Sequence, residues 1–181
     1  MWLWKYLTRP KAGETVKIAP TRRELDLRPL PLSTTPGFIE LLKVADATEI
    51  EFPNLKSVAA AQWALECGWG TSALAREHHN YGGAKWRPWC KPYGKPVQYT
   101  AWDGPDTYVS FNSDADFIAA YWKRLDVTSA YSGWRFKTDT PAAFMSHIGP
   151  PWVGVSDAHA KAYVRRVLDI HANTMSKVFS D

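Results

Sequence analysis

The chain has 181 residues, of which 45% are hydrophobic and 22% charged. This is the make-up of one folded domain with a terminal extension, and it excludes an intrinsically disordered chain. The net charge of +4 resides wholly in residues 1–36, which hold seven Lys/Arg and three acids, so the remaining body is neutral; a neutral body argues against a nucleic-acid groove there. No apolar run approaches the ~20 residues of a membrane span.

Residues 1–36 contain Pro10, Pro20, Pro29, Pro31 and Pro36 without sustained periodicity, which predicts an extended basic arm. Its apolar start, Met1 to Leu7, is interrupted by Lys5 and is too short for a secretory signal. At most it would touch a membrane surface peripherally or dock on the body, and its charge suits an anionic surface. The body is expected over 37–181. Phe38, Leu41, Leu42 and Ala45 follow helical spacing. Pro53-Asn54 opens a second helix running through Leu55, Val58, Gln62, Leu65 and Glu66. Glu66 lies on or beside that stripe and is expected to face inward, and Gly68 and Gly70 end the helix.

A short helix is expected over 72–77 and a loop over 79–83. Residues 84–95 read as irregular, aromatic and basic, with Trp86, Trp89 and Tyr93. Aromatic faces of this kind suit flat amphipathic ligands such as sugar rings. Val97–Trp102 and Thr107–Phe111 flank Asp103-Gly104-Pro105-Asp106, the pattern of a β-hairpin. Asn112-Ser113-Asp114 predicts a cap for a helix over 114–125. Further helices are expected over 141–148 and 157–179, the last with Tyr163, Val164, Val167, Leu168 and His171 on one face. The fold class is α+β, mainly helical, with a small hairpin lobe.

Glu66 carries the chemistry. A helix C-terminus disfavours an ionised carboxylate, and Trp63 and Trp69 desolvate it further. A carboxyl group held protonated near neutral pH serves as a general acid. Asp103 and Asp106 are either partner carboxylates or plain turn residues. Cys67 and Cys90 allow one disulfide or two free thiols. Glu77-His78-His79 is a polar cluster whose adjacent histidines diverge on a helix, so neither metal nor cofactor is expected. Gly94-Lys95 lacks the upstream glycine of a phosphate loop, and no Gly-x-Ser-x-Gly elbow exists.

Ala64-Leu65-Glu66-Cys67-Gly68-Trp69-Gly70-Thr71-Ser72 resembles the Ala-Leu-Glu-Ser-Gly-Trp-Gly-x-Ser signature of family 73 glucosaminidases, with Cys67 where Ser is usual. These are lysozyme-like enzymes that cut peptidoglycan glycan strands. Three weaker blocks follow in the family's order: His79-Asn80-Tyr81-Gly82-Gly83-Ala84-Lys85, then Tyr108–Ser113, then Tyr163–Val167. Together they cover roughly residues 38–171.

The resemblance implies a lysozyme-like fold. It also implies hydrolysis of the β-1,4 bond between N-acetylglucosamine and N-acetylmuramic acid, leading to wall degradation and lysis. Glu66 would protonate the leaving oxygen. The family's second acid lies in a Thr-x-Glu context in the hairpin lobe, whereas this chain has Thr100-Ala101-Trp102-Asp103. Asp103, and next Asp106, are the candidates. Two carboxyls ~6.5–9.5 Å apart imply inversion and ~5 Å retention, and a third route uses the substrate's own N-acetyl group. Tyr163 would line the sugar site near Glu66. Asn80 would bond an acetamido group or fix its loop. Trp69, Trp86 and Trp152 are stacking platforms or packing residues. The expected partner is the peptidoglycan glycan strand, with room for an immunity or delivery protein. A chain made in the cytoplasm would reach the wall by phage lysis, particle carriage or a secretion machine. Two alternatives remain at this point. One is a muramidase or lytic transglycosylase on the same scaffold; the other is a non-catalytic wall-binding or particle protein.

Overall fold

Thr35 starts the first helix by accepting a hydrogen bond from the Phe38 N–H, with Pro36 in the first turn. The helix, α1 (Pro36–Ala47), buries Phe38, Leu41, Leu42 and Ala45, the stripe expected from spacing. The computed structural model describes residues 25–101, 104–154 and 157–179. The expectations placed on residues 1–24 lie outside these, as do Trp102 and Asp103. Leu25, Leu27 and Leu30 already pack on the core, so the body's contacts begin before residue 37.

Pro53–Leu55 forms one 3₁₀ turn that leads into α2 (Lys56–Cys67). α2 is the central helix. Val58, Ala59, Ala60, Ala61, Gln62, Trp63, Ala64 and Cys67 are all buried, because three successive alanines let neighbouring elements close in around the helix. Trp63 anchors the core, with its ring edge-on to Phe117 at 5.2 Å and to Tyr121 at 5.3 Å. Such rings add packing energy beyond their buried area.

Ser72 caps α3 (Ala73–His78) by accepting from the Ala75 N–H. The hairpin follows: β1 (Gly94–Ala101) pairs antiparallel with β2 (Gly104–Phe111), in a register running from Gly94↔Phe111 to Ala101↔Gly104. Residues 84–86 are less irregular than expected. Trp86 N–H donates to the Thr107 carbonyl at 2.8 Å, and Val109 N–H to the Ala84 carbonyl at 2.9 Å. This covers the second edge of β2 and leaves β1 as the outer strand, where Pro96 is tolerated.

Ser113 caps α4 (Asp114–Val127), accepting from the Asp116 N–H at 3.1 Å and donating to its carboxylate at 2.8 Å. Two 3₁₀ turns, Ser129–Tyr131 and Trp134–Phe136, then bury Tyr131 and Trp134. Next, α5 (Pro141–Val153) runs past the predicted end at 148 and through Pro150 and Pro151. Each proline removes one backbone donor. Both stand in the final turns, where Gly154, left-handed at φ 60°, closes the helix back onto the Pro150 carbonyl.

The last expected helix is α6 (Asp157–Ile170), a π turn (His171–Met175) and α7 (Ser176–Val178). His171 meets Ser57 of α2 at 3.1 Å there. The architecture is α+β and mainly helical, with one two-stranded lobe. No helix among the described residues is long and apolar enough to cross a membrane.

Candidate active site

The end of α2 sets the geometry. Gly68 adopts the left-handed conformation at φ 57°, Trp69 follows at φ 60° and Gly70 at φ 89°. The Trp69 N–H bonds the Ala64 carbonyl at 2.9 Å, and the Gly70 N–H bonds Cys67 Sγ at 3.1 Å. Glu66 therefore sits on the last turn, one helical turn beyond the wholly buried Gln62 and on the same face. The expectation that Glu66 faces inward needs correction. The face it shares with Gln62 emerges at the helix end, and Glu66 is exposed.

Exposure does not leave its carboxyl well hydrated. Tyr163, Trp152 and Arg124 surround it, and this crowding raises its proton affinity above that of an ordinary Glu. Three smaller effects oppose the shift: the hydrogen bond from Tyr163, the positive charge of Arg124 and the indole N–H of Trp152. Tyr163 Oη donates to Glu66 Oε1 at 2.5 Å and accepts from Gln62 Nε2 at 2.9 Å. Tyr121 Oη donates to Gln62 Oε1 at 2.7 Å. Arg124 lies over the Trp152 ring at 3.9 Å and near the Tyr131 ring at 5.7 Å.

The raised affinity has a consequence for stability. The folded protein holds the Glu66 proton more tightly than the unfolded chain does. Its contribution is full below the ordinary carboxylate range and is lost as pH rises through the raised value. Thermal midpoints of wild type and Glu66→Gln, compared across pH, should show this slope in the wild type alone. Parallel curves would refute it.

The other predicted residues have varied placements. Trp152 reaches Glu66, but Arg124 covers one of its faces and Tyr121 packs against it at 5.7 Å. Trp69 is half-buried, edge-on to Phe38 of α1 at 6.2 Å. Trp86 is half-buried beside the hairpin, tied to it through its backbone. Asn80 is 1% exposed; it donates to the carbonyls of Ala84 and Val109 and accepts from the Ala84 N–H. Its polar atoms are thus engaged by the loop, which favours the loop-fixing role over an acetamido contact. Asp106 pairs with Lys85 at 2.8 Å and accepts from the Thr107 N–H, and both bonds hold its carboxyl below the usual range.

Cys67 and Cys90 are buried free thiols, and burial pushes Cys67 up to about 12. His79 is engaged by Asp114 at 2.6 Å and His147 by the Ser132 carbonyl at 3.0 Å. Among the described residues no group of three His, Cys, Asp or Glu could hold a metal.

Gln62, Tyr121, Arg124 and Tyr131 were not singled out for the site by sequence reasoning. Gln62 carried a usable signal, a polar residue one turn before Glu66 in an alanine-rich helix. The other three are brought in by packing alone.

A mainly helical body, one hairpin lobe and a crowded, protonatable carboxyl at a helix end make up the architecture of a lysozyme-like glycosidase. The family model described as mannosyl-glycoprotein endo-beta-N-acetylglucosaminidase, the Glucosaminidase family, matches residues 43–174. The chain belongs to this family and is a glycoside hydrolase. No curated protein matches the sequence. Solved structures share the fold. The catalytic domain of the autolysin Auto from Listeria monocytogenes is 20% identical, with a TM-score of 0.50 over 78% of this chain and 88% of that one. A peptidoglycan hydrolase from Sphingomonas sp. A1 is 18% identical, with a TM-score of 0.54 over 78% of this chain and 92% of that one.

Proposed function

We infer that the protein hydrolyses peptidoglycan glycan strands at the β-1,4 bond between N-acetylglucosamine and N-acetylmuramic acid, and that Glu66 protonates the leaving oxygen. The observation that carries this reading is the Glu66 carboxyl itself: crowded into a raised proton affinity, and held at Oε1 by Tyr163. A general acid needs both a proton near working pH and a set orientation. The fold's likeness to an autolysin catalytic domain and to a peptidoglycan hydrolase supports this substrate.

Asp106 is ionised and already paired with Lys85, which makes it a weak base. Asp103 is the better candidate for the second carboxylate. If neither Asp103→Asn nor Asp106→Asn lowers turnover, the substrate's N-acetyl group supplies the nucleophile.

The deciding experiment digests sacculi and analyses the soluble fragments by mass spectrometry after borohydride reduction. Reduced glucosamine ends support the reading. Reduced muramic ends move the cut to the other bond, and 1,6-anhydromuramic ends indicate a transglycosylase. A folded protein that binds sacculi and releases nothing would overturn catalysis.

A further inference from the structure

Behind Glu66 three side chains form a hydrogen-bonded row with a single direction. It runs from Tyr121 to Gln62 at 2.7 Å, from Gln62 to Tyr163 at 2.9 Å, and from Tyr163 to Glu66 Oε1 at 2.5 Å. Gln62 is fully buried and Tyr121 is 3% exposed, so neither can readily turn to solvent.

Counting donors gives the direction. A buried hydroxyl that fails to donate is left with an unmet polar group, which is unfavourable. Tyr121 therefore donates, and within the Gln62 amide only the oxygen can accept. This turns the amide nitrogen toward Tyr163. An amide nitrogen only donates, so the Tyr163 oxygen accepts, and its own proton goes to Glu66.

We propose that Gln62, locked by Tyr121, is a positioning residue that fixes the Tyr163 hydroxyl as a donor to Glu66 Oε1, and so confines the acid's proton to Oε2. This rests on the reading of Glu66 as the proton donor. With Oε1 already accepting, the carboxylic proton sits on the other oxygen. Without the row, the Tyr163 hydroxyl can reverse and the Glu66 proton can be drawn into donating to it. In the reaction the Oε2–H bond breaks and its proton passes to the glycosidic oxygen. The electron pair of the cleaved C–O bond stays with that oxygen. Glu66 becomes a carboxylate, and the Tyr163 bond strengthens as charge develops.

Several groups face this pair from the packed elements: Cys67 on α2, Tyr121 and Arg124 on α4, Tyr131 on the following turn, and Trp152 on α5. Arg124 is the charged one among the described residues that act on Glu66. The row is therefore not the sole influence on its proton; it is the one that fixes the direction of the Tyr163 hydroxyl.

The test uses Gln62→Met, which keeps the shape of the side chain and removes its polar atoms, with Tyr163→Phe and the double variant as a cycle. On a soluble glycan fragment, Gln62→Met should lower kcat about tenfold at unchanged KM, a modest share of what a positioned acid supplies. Loss of the directed donor leaves the Glu66 carboxylate less stabilised, so the alkaline limb of the kcat profile should move up. The double variant should match Tyr163→Phe alone. In parallel, ¹³C NMR titration of the Glu66 carboxyl in substrate-free protein, assigned by its loss in Glu66→Gln, should show the same upward move.

Wild-type kcat and limb in folded Gln62→Met, or additive effects in the cycle, would overturn the proposal. If Gln62→Met does not fold, Tyr121→Phe removes a single hydroxyl and should show the same limb shift with a smaller, about threefold, loss of kcat; an unmoved limb would overturn the proposal. If the Glu66 titration moves up in Gln62→Met while the wild-type protein releases no fragments, the hydrogen-bonded row stands and the assignment of Glu66 as catalyst falls.

Discussion

Glu66→Gln is expected to reduce fragment release from sacculi by about 10²–10⁴-fold, the range that a positioned general acid supplies. A glycosidic oxygen is a poor leaving group until it is protonated, and Gln has no acidic proton to give. The substitution is nearly isosteric. Its amide oxygen can still accept from Tyr163, and the crowding by Trp152 and Arg124 is unchanged. Folding should therefore survive, and circular dichroism and the thermal midpoint check this. Retention of activity by a folded Glu66→Gln protein would exclude Glu66 as the acid. Loss of both fold and activity would show instead that the carboxyl has a structural task that its hydrogen bonds do not reveal.

Gly70→Ala is expected to be the most damaging of the small substitutions around the site. A Cβ at position 70 would collide with Thr35 Oγ1 and lie 2.8 Å from Phe38 Cβ, and the backbone stands at φ 89°. Left-handed backbone disfavours a Cβ by about 1–2 kcal/mol. Overpacking against a helix start adds about 1–3 kcal/mol. A loss of about 3 kcal/mol corresponds to a fall in Tm of roughly 6–12 °C for a chain of this size.

Gly68→Ala makes the useful comparison. It shares the left-handed backbone, but its Cβ would approach only the Thr71 hydroxyl, at 2.8 Å, on a movable side chain. It should be about 1 kcal/mol destabilising, the backbone cost alone. Equal midpoints for the two variants would show that the contact with α1 yields easily. The second glycine of the Gly-Trp-Gly turn thus lets the start of α1 pack closely against the end of α2, four residues beyond Glu66.

Much of the body was legible because its signals are local. The stripe in α1, the Ser113 cap and the hairpin around Gly104-Pro105 each rest on residues a few positions apart. Departures came where tertiary packing outweighed local preference. The predicted helix ends at 148, yet α5 continues through Pro150 and Pro151 to Val153 at the loss of one backbone donor per proline. Residues 84–86 lack any strand pattern, and pairing with β2 gives them one.

The site divides the same way. The signature around Glu66 is contiguous, so its place at the end of a helix followed from caps and glycines. The direction in which that carboxyl points, and its proton affinity, did not. Both depend on Tyr163, Trp152 and Arg124, which local reasoning could name at most singly and could not orient. The bond between Gln62 and Tyr121 spans 59 positions of the chain, and that between Gln62 and Tyr163 spans 101. Propensity and capping act within a turn or two of helix. Hydration of a carboxyl depends on whichever atoms the folded chain brings within a few ångströms, and so it is set by packing.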